Sequence, residues 1–239
     1  MDFYKEEVVI SSVDIDNHQE CKLSNLFVYF QDLAGKHSDL LSIGRKGVNE
    51  KGMQWVVTRF EVDIVRMPKY GEKVTMVTYP GDCNSFFFHR KFYIEDSNHN
   101  IIVKASSIWI ILDASTHQIV KDPFKGIEMV IVHKEDELDA PQKLAVEEGS
   151  LIYSKKIRYS DIDLNGHLNN ARYIELIQDA FDLSFYDKNR IKNIVINYNL
   201  EFKADDVADI YLTNSNPYCI VGKKGDKVHY VSLITFTDR

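Results

Sequence analysis

Cysteine is scarce. Cys21, Cys83 and Cys219 lie far apart, with no Cys-x-x-Cys pair and no even count. That reads against a disulfide framework and suits a reducing, cytoplasmic setting. No run of about 18 apolar residues occurs, so no transmembrane helix is expected. The first residues, Met1 to Glu7, are acidic and lack an apolar stretch of signal-peptide length. Positive charge is short as well: 29 Lys and Arg against 36 Asp and Glu give a formal charge of −7. Non-specific nucleic-acid binding is disfavoured, and any basic docking surface must be local.

What is present is ordinary globular composition. The 239 residues are 44% hydrophobic and 27% charged, enough for one large domain or two small ones. The segment Val13-Asp14-Ile15-Asp16, with Gln31-Asp32 beyond it, recurs as Ser160-Asp161-Ile162-Asp163 with Gln178-Asp179. Five identities fall at one offset of 147 residues, which points to an internal repeat. After each copy, apolar residues follow steps of four and three. Leu26, Phe30, Leu33, His37 and Leu40 form one set, and Ile174, Ile177, Phe181 and Phe185 the other; each predicts one face of a helix. Ser24 and Asn169 or Asn170 are the candidate N-caps.

Strand patterns follow each helix. Val56–Ile64 and Ile194–Lys203 alternate with a period of two, as half-buried antiparallel strands do. Further strand-like runs are 73–79, 85–95, 101–112, 209–213, 218–222 and 228–237. Residues 96–100 and 223–226 read as hairpin turns. Residues 113–150 fit neither pattern, and their later part reads as a linker.

The copies differ where chemistry is expected. The second continues Leu164-Asn165-Gly166-His167-Leu168-Asn169-Asn170; the first continues Asn17-His18-Gln19-Glu20-Cys21. Only the second sets Asp, Asn, His and a glycine turn directly ahead of a helix. The unpaired amides and positive dipole end of a helix's first turn can polarise a carbonyl. An acid or base on the same loop completes an acyl-transfer site. A helix cap and nothing more is the alternative reading of Asn169-Asn170. Asp161, Asp163 and His167 have metal-ligand chemistry but match no recognised metal motif.

The run from Tyr159 to Ile174 resembles the central motif of the acyl–acyl carrier protein thioesterases of plants and bacteria. So do Gly52–Arg59, with its Trp55, Ala105–Trp109, and Lys121-Asp122-Pro123. The resemblance implies an α+β tandem double hotdog, each repeat one long helix wrapped by a curved antiparallel sheet. The halves would be 1–132, holding the acyl-chain pocket and a degenerate site, and 149–239, catalytic, with a linker at 133–148. It implies hydrolysis of a fatty acyl thioester, with Asp163, Asn165 and His167 as the polar catalytic set. Counting on from Leu200-Glu201-Phe202-Lys203 adds Asp205, where the family usually has Glu. Water activated by His167 and a carboxylate, Asp205 or Asp163, is one route; direct carboxylate attack through an anhydride is the other. No cysteine lies in either catalytic segment, which reads against cysteine–histidine covalent catalysis. The acyl chain needs an apolar tunnel, for which Phe27, Phe30 and Trp55 are candidates. No metal or organic cofactor is expected. The expected partner is acyl carrier protein with its acyl-phosphopantetheine, meeting Lys155, Lys156, Arg158, Lys223 and Lys224. A homodimer is compatible with the chain. Acyl-CoA hydrolysis and a non-catalytic acyl-thioester sensor are the alternative functions, and the intact Asp163/Asn165/His167 set disfavours the sensor.

Overall fold

The structure, a computed structural model, describes residues 2–84, 86–125 and 129–239. Met1, Ser85 and residues 126–128 lie outside the described residues, and with them the first residue of the strand expected over 85–95. The chain divides into two compact units: Met1–Lys22 with Val28–Pro141, and Leu23–Phe27 with Gln142–Arg239.

In the first unit, β1 (Tyr4–Val9), β3 (Lys73–Asn84), β4 (Phe87–Glu95), β5 (Ile101–Asp113) and β2 (Met53–Ile64) lie side by side in that order, all antiparallel. Helix α1 (Leu23–Leu40) runs 18 residues. Its expected face is buried from Leu26 to His37, while Leu40, at its end, is exposed. Phe30 lies 4.9 Å from Phe92 of β4 and 6.0 Å from Phe60 of β2, ring centre to ring centre. Complete burial of such a side chain contributes roughly 1.5–3 kcal/mol. Lys22 is the N-cap, without a side-chain cap bond; Ser24, the expected cap, lies two residues further on, inside the first turn, and is buried. A five-residue helix, α2 (Arg45–Asn49), precedes β2. Trp55 packs at 5.0 Å from Phe88 and 5.7 Å from Phe124.

The second unit repeats the topology. Strands β6 (Ser150–Lys156), β8 (Val207–Leu212), β9 (Tyr218–Lys224), β10 (Lys227–Asp238) and β7 (Asn189–Tyr198) follow the same order. Tyr173 of α3 (Asn170–Gln178) packs against Tyr198, Tyr230 and Phe202 at 5.2–5.9 Å. Helix α3 is only nine residues long, so the expectation of one long helix per repeat fails here. Phe181 and Phe185 leave the helical face because an aromatic cluster captures them. Each lies 4.9 Å from the other and from Phe236, and the short α4 (Leu183–Tyr186) carries the chain through this cluster. Strand β7 also starts earlier and stops sooner than its alternation suggests. After Tyr198 the amides of Asn199 and Leu200 both donate to the carbonyl of His229, at 2.9 and 3.0 Å.

Several strands are buried on both faces where alternation predicts one. Met76 to Tyr79 and Ile194 to Asn197 are entirely buried. The connecting segment accounts for part of this. In the first unit Lys91 Nζ donates to the Leu138 carbonyl, Lys104 Nζ to the Asp136 carbonyl at 2.7 Å, and Tyr79 Oη to Glu137 at 3.1 Å. In the second, Asn197 donates to the Gln142 carbonyl at 3.1 Å and accepts from the Leu144 amide at 2.8 Å. Leu144 packs on Cys219, Val221 and Val231. Among the described residues, no helix is long and apolar enough to cross a membrane.

Candidate active site

The repeated loop is built the same way twice. In the second copy Asp163 Oδ1 accepts from the amides of Asn165 and His167, at 2.8 and 3.2 Å. In the first, Asp16 Oδ1 accepts from the amides of His18 and Glu20, at 2.8 and 3.1 Å. Upstream, Asp161 Oδ2 accepts from the Arg158 amide and Asp14 Oδ2 from the Ser11 amide, both at 2.8 Å. The Asn169 and Lys22 amides return to the Asp161 and Asp14 carbonyls, at 2.9 and 2.8 Å. Gly166 and Gln19 take the left-handed position, with φ of 82° and 61°. Glycine adopts it without a Cβ penalty; Gln19 bears that strain. Every pair is offset by 147 residues. The first Asp of each Asp-Ile-Asp thus ties the loop's entry and the second ties its turn.

This architecture presents His167 and Asn165. Asn165 is exposed, its amide nitrogen 3.4 Å from Asp163 Oδ2. The His167 ring is mostly buried, and its Nε2 lies 2.9 Å from Glu201 Oε2. The Phe202 carbonyl accepts from the Leu168 amide at 2.8 Å, and Lys203 bridges to His167, which holds the two segments side by side. Asn169 is the N-cap of α3; its side chain accepts from the Ala171 amide at 2.9 Å and its carbonyl from Arg172 at 2.8 Å. In the first copy Glu20 stands where His167 does, and His18 where Asn165 does.

The structure therefore brings Asp163, Asn165 and His167 together on one loop and gives Asp205 a different partner. The Asp205 carboxylate is 77% exposed and 2.7 Å from Lys156 Nζ. That ammonium holds it below the usual carboxylate range. Asp205 has φ of 67°. Its amide donates to the Ile157 carbonyl at 3.0 Å, as that of Gly71 (φ 74°) does to Ile10 at 2.9 Å. In the same turns Asp206 accepts from the Lys203 amide, and Glu72 from the Lys69 amide, both at 2.9 Å. Here the offset is 134 residues, and by it Glu201 falls opposite Met67. The carboxylate that meets His167 is thus Glu201, which counting along the motif does not single out. The available signal was the turn itself: a glycine in the first copy marks a left-handed position at Asp205.

Other candidates are also placed. Lys224 Nζ lies 2.5 Å from Asp206, Lys155 Nζ 3.8 Å from Asp161, and Lys223 stands over the Tyr211 ring. Most of the expected basic docking residues are thus individually paired. All three cysteines are free, and burial is the chief cause raising each thiol, Cys21 to about 12 with help from Asp14 and Asp16. Among the described residues no group of three or more His, Cys, Asp or Glu side chains is placed to hold a metal ion.

The chain matches two family models, the acyl-ACP thioesterase N-terminal domain over residues 1–123 and the C-terminal domain over 145–233. It is 22% identical to a chloroplastic acyl-[acyl-carrier-protein] hydrolase of Cuphea viscosissima, over 97% of this chain and 58% of that protein. It is 23% identical to the chloroplastic oleoyl-acyl carrier protein thioesterase 2 of Arabidopsis thaliana, over 92% and 65%. The chain thus spans about three-fifths of the length of these curated relatives. Among solved structures it is similar to an acyl-ACP thioesterase from Bacteroides thetaiotaomicron, with a TM-score of 0.92, 24% identity and 98% of each chain covered. It is also similar to the 12:0-ACP thioesterase of Umbellularia californica, with a TM-score of 0.85, 19% identity and 99% and 98% covered. The fold is the α+β tandem double hotdog, and the chain belongs to the acyl-ACP thioesterase family.

Proposed function

We propose that this protein hydrolyses a fatty acyl thioester carried on acyl carrier protein, releasing the free acid and the carrier thiol. The observation that carries this is the His167–Glu201 contact of 2.9 Å on a loop ordered by Asp163 and set ahead of a helix N-terminus. A carboxylate at Nε2 favours the tautomer protonated there, which leaves Nδ1 as the basic nitrogen. Nδ1 has no partner among the described residues and takes the proton of the attacking water. Glu201 orients the ring and stabilises the imidazolium that forms, as the third group of a base-and-orienter set does. Asn165 orients the water or the thioester. Asp163 is a loop organiser, its Oδ1 already accepting from two amides. Of the first-turn amides of α3, those of Ala171 and Arg172 are occupied; the Asn170 amide donates to no group among the described residues and polarises the carbonyl. Asp205 is released from the base role to the turn and Lys156. We further propose that the second half, 149–239, holds the one site, the first a degenerate copy, and 133–148 the connection. Three unpaired thiols fit a reducing compartment such as the cytoplasm.

The test is steady-state hydrolysis of one acyl chain presented on acyl carrier protein and on CoA. The expected result is faster turnover on the carrier. His167→Ala and Glu201→Gln should each reduce turnover by about 10²-fold, the scale of a lost acid–base group or its orienter. Absence of hydrolysis from either carrier would leave only the sensor reading, and equal use of both would remove the carrier assignment.

A further inference from the structure

His229, buried on β10, has no role in the steps above. Its ring lies face to face on Phe202, with ring centres 4.0 Å apart and 16° between planes. Only 5% of His229 and none of Phe202 is exposed. Burial pushes His229 below the ordinary histidine range, so at neutral pH the ring is uncharged and stacks as an aromatic. Its main-chain carbonyl accepts the Asn199 and Leu200 amides, at 2.9 and 3.0 Å. One residue therefore fixes the chain on both sides of Glu201: Leu200 through the carbonyl and Phe202 through the ring. The opposite side of Phe202 is fixed as well. Its amide donates to Tyr173 Oη at 3.1 Å, and its carbonyl accepts from Leu168, the residue after His167. The ring of His229 is thus the back wall of the segment that carries the Glu201 carboxylate to His167.

We infer that His229 is a positioning residue, whose ring and carbonyl hold Leu200–Phe202 so that Glu201 meets His167. This rests on the reading of His167 and Glu201 as the working pair. A carboxylate displaced by about 1 Å loses its bond to the imidazole, and misplacement on that scale can cost up to ~10²-fold in rate. Substrate affinity should change little, since no substrate contact is assigned to His229.

The experiment measures kcat and KM for His229→Ala and His229→Phe, each in the parent and in the Glu201→Gln background. In the parent, His229→Ala should lower kcat by about tenfold or more with KM nearly unchanged. His229→Phe, which keeps a flat ring on Phe202, should recover most of the loss. In the Glu201→Gln background His229→Ala should add less than about twofold, because the two changes remove one interaction. If His229→Ala is too unstable to assay, His229→Leu, which fills volume without a stacking face, carries the same comparison. Equal losses in both backgrounds, or a His229→Phe as slow as the alanine variant, would overturn the inference while leaving the His167–Glu201 pair intact. Parent-level turnover in Glu201→Gln alone would instead remove the pair on which it rests.

Discussion

Asp205 and Gly71 occupy one place in two copies of one turn, both in the left-handed region. A side chain there is set by backbone geometry before any chemistry acts. Left-handed backbone costs an ordinary L-residue roughly 1–2 kcal/mol, and Asp tolerates it better than most. Asp205→Gly should therefore keep turnover at the parent level and leave stability unchanged or raised by up to ~1 kcal/mol. Steady-state kinetics and urea unfolding check both halves of that statement; a loss near 10²-fold in kcat would return Asp205 to the reaction. The case also shows what is legible in a single sequence. Asp163, Asn165 and His167 fall within five residues of one loop, so their association is local and readable. Glu201 reaches His167 from beyond β7, and only the three-dimensional pairing of the two segments reveals it.

At the level of elements, the cap of α3 supports its short helix. Asn169 satisfies the Ala171 amide, and a nine-residue helix has few other bonds to spare. Asn169→Ala should lower stability by ~1 kcal/mol, seen as a reduced urea midpoint with an unchanged slope. No change in midpoint would show that packing alone holds the helix. Periodicity identified α1 and most strands because their apolar faces are long and regular. It fails at Phe181 and Phe185, whose spacing continues the helical pattern while their rings join an aromatic cluster with Phe236. Ser24 shows a similar conflict: its type suits a cap, but its position lies inside the first turn of α1.

Across the whole molecule, the hydrogen bonds of the repeated loop are kept where the side chains it presents are not. Asp16 and Asp163 hold equivalent amides, yet only the second loop ends in a histidine facing a carboxylate. Asp16→Ala and Asp163→Ala should each cost ~1–3 kcal/mol of stability through the loss of charged acceptors. Only Asp163→Ala should also reduce turnover strongly once the folded fraction is accounted for. Comparable kinetic losses from both would contradict a single site in the second repeat. The connecting segment leads to a consequence of another kind. Its bonds to Lys91, Lys104 and Asn197 are made largely through its own main-chain carbonyls and amides. A main-chain group offers the same partner whatever side chain it carries. At these points the path of the segment is specified by side chains of the strands it meets, and residues that answer only through the main chain are free to drift; Glu137, bonded through its carboxylate to Tyr79, is not among them. In a library of single substitutions, Leu138 and Gln142 should accept wide replacement, while Lys91, Lys104 and Asn197 should not; Asp136, with φ of 59°, should accept chiefly Gly and Asn.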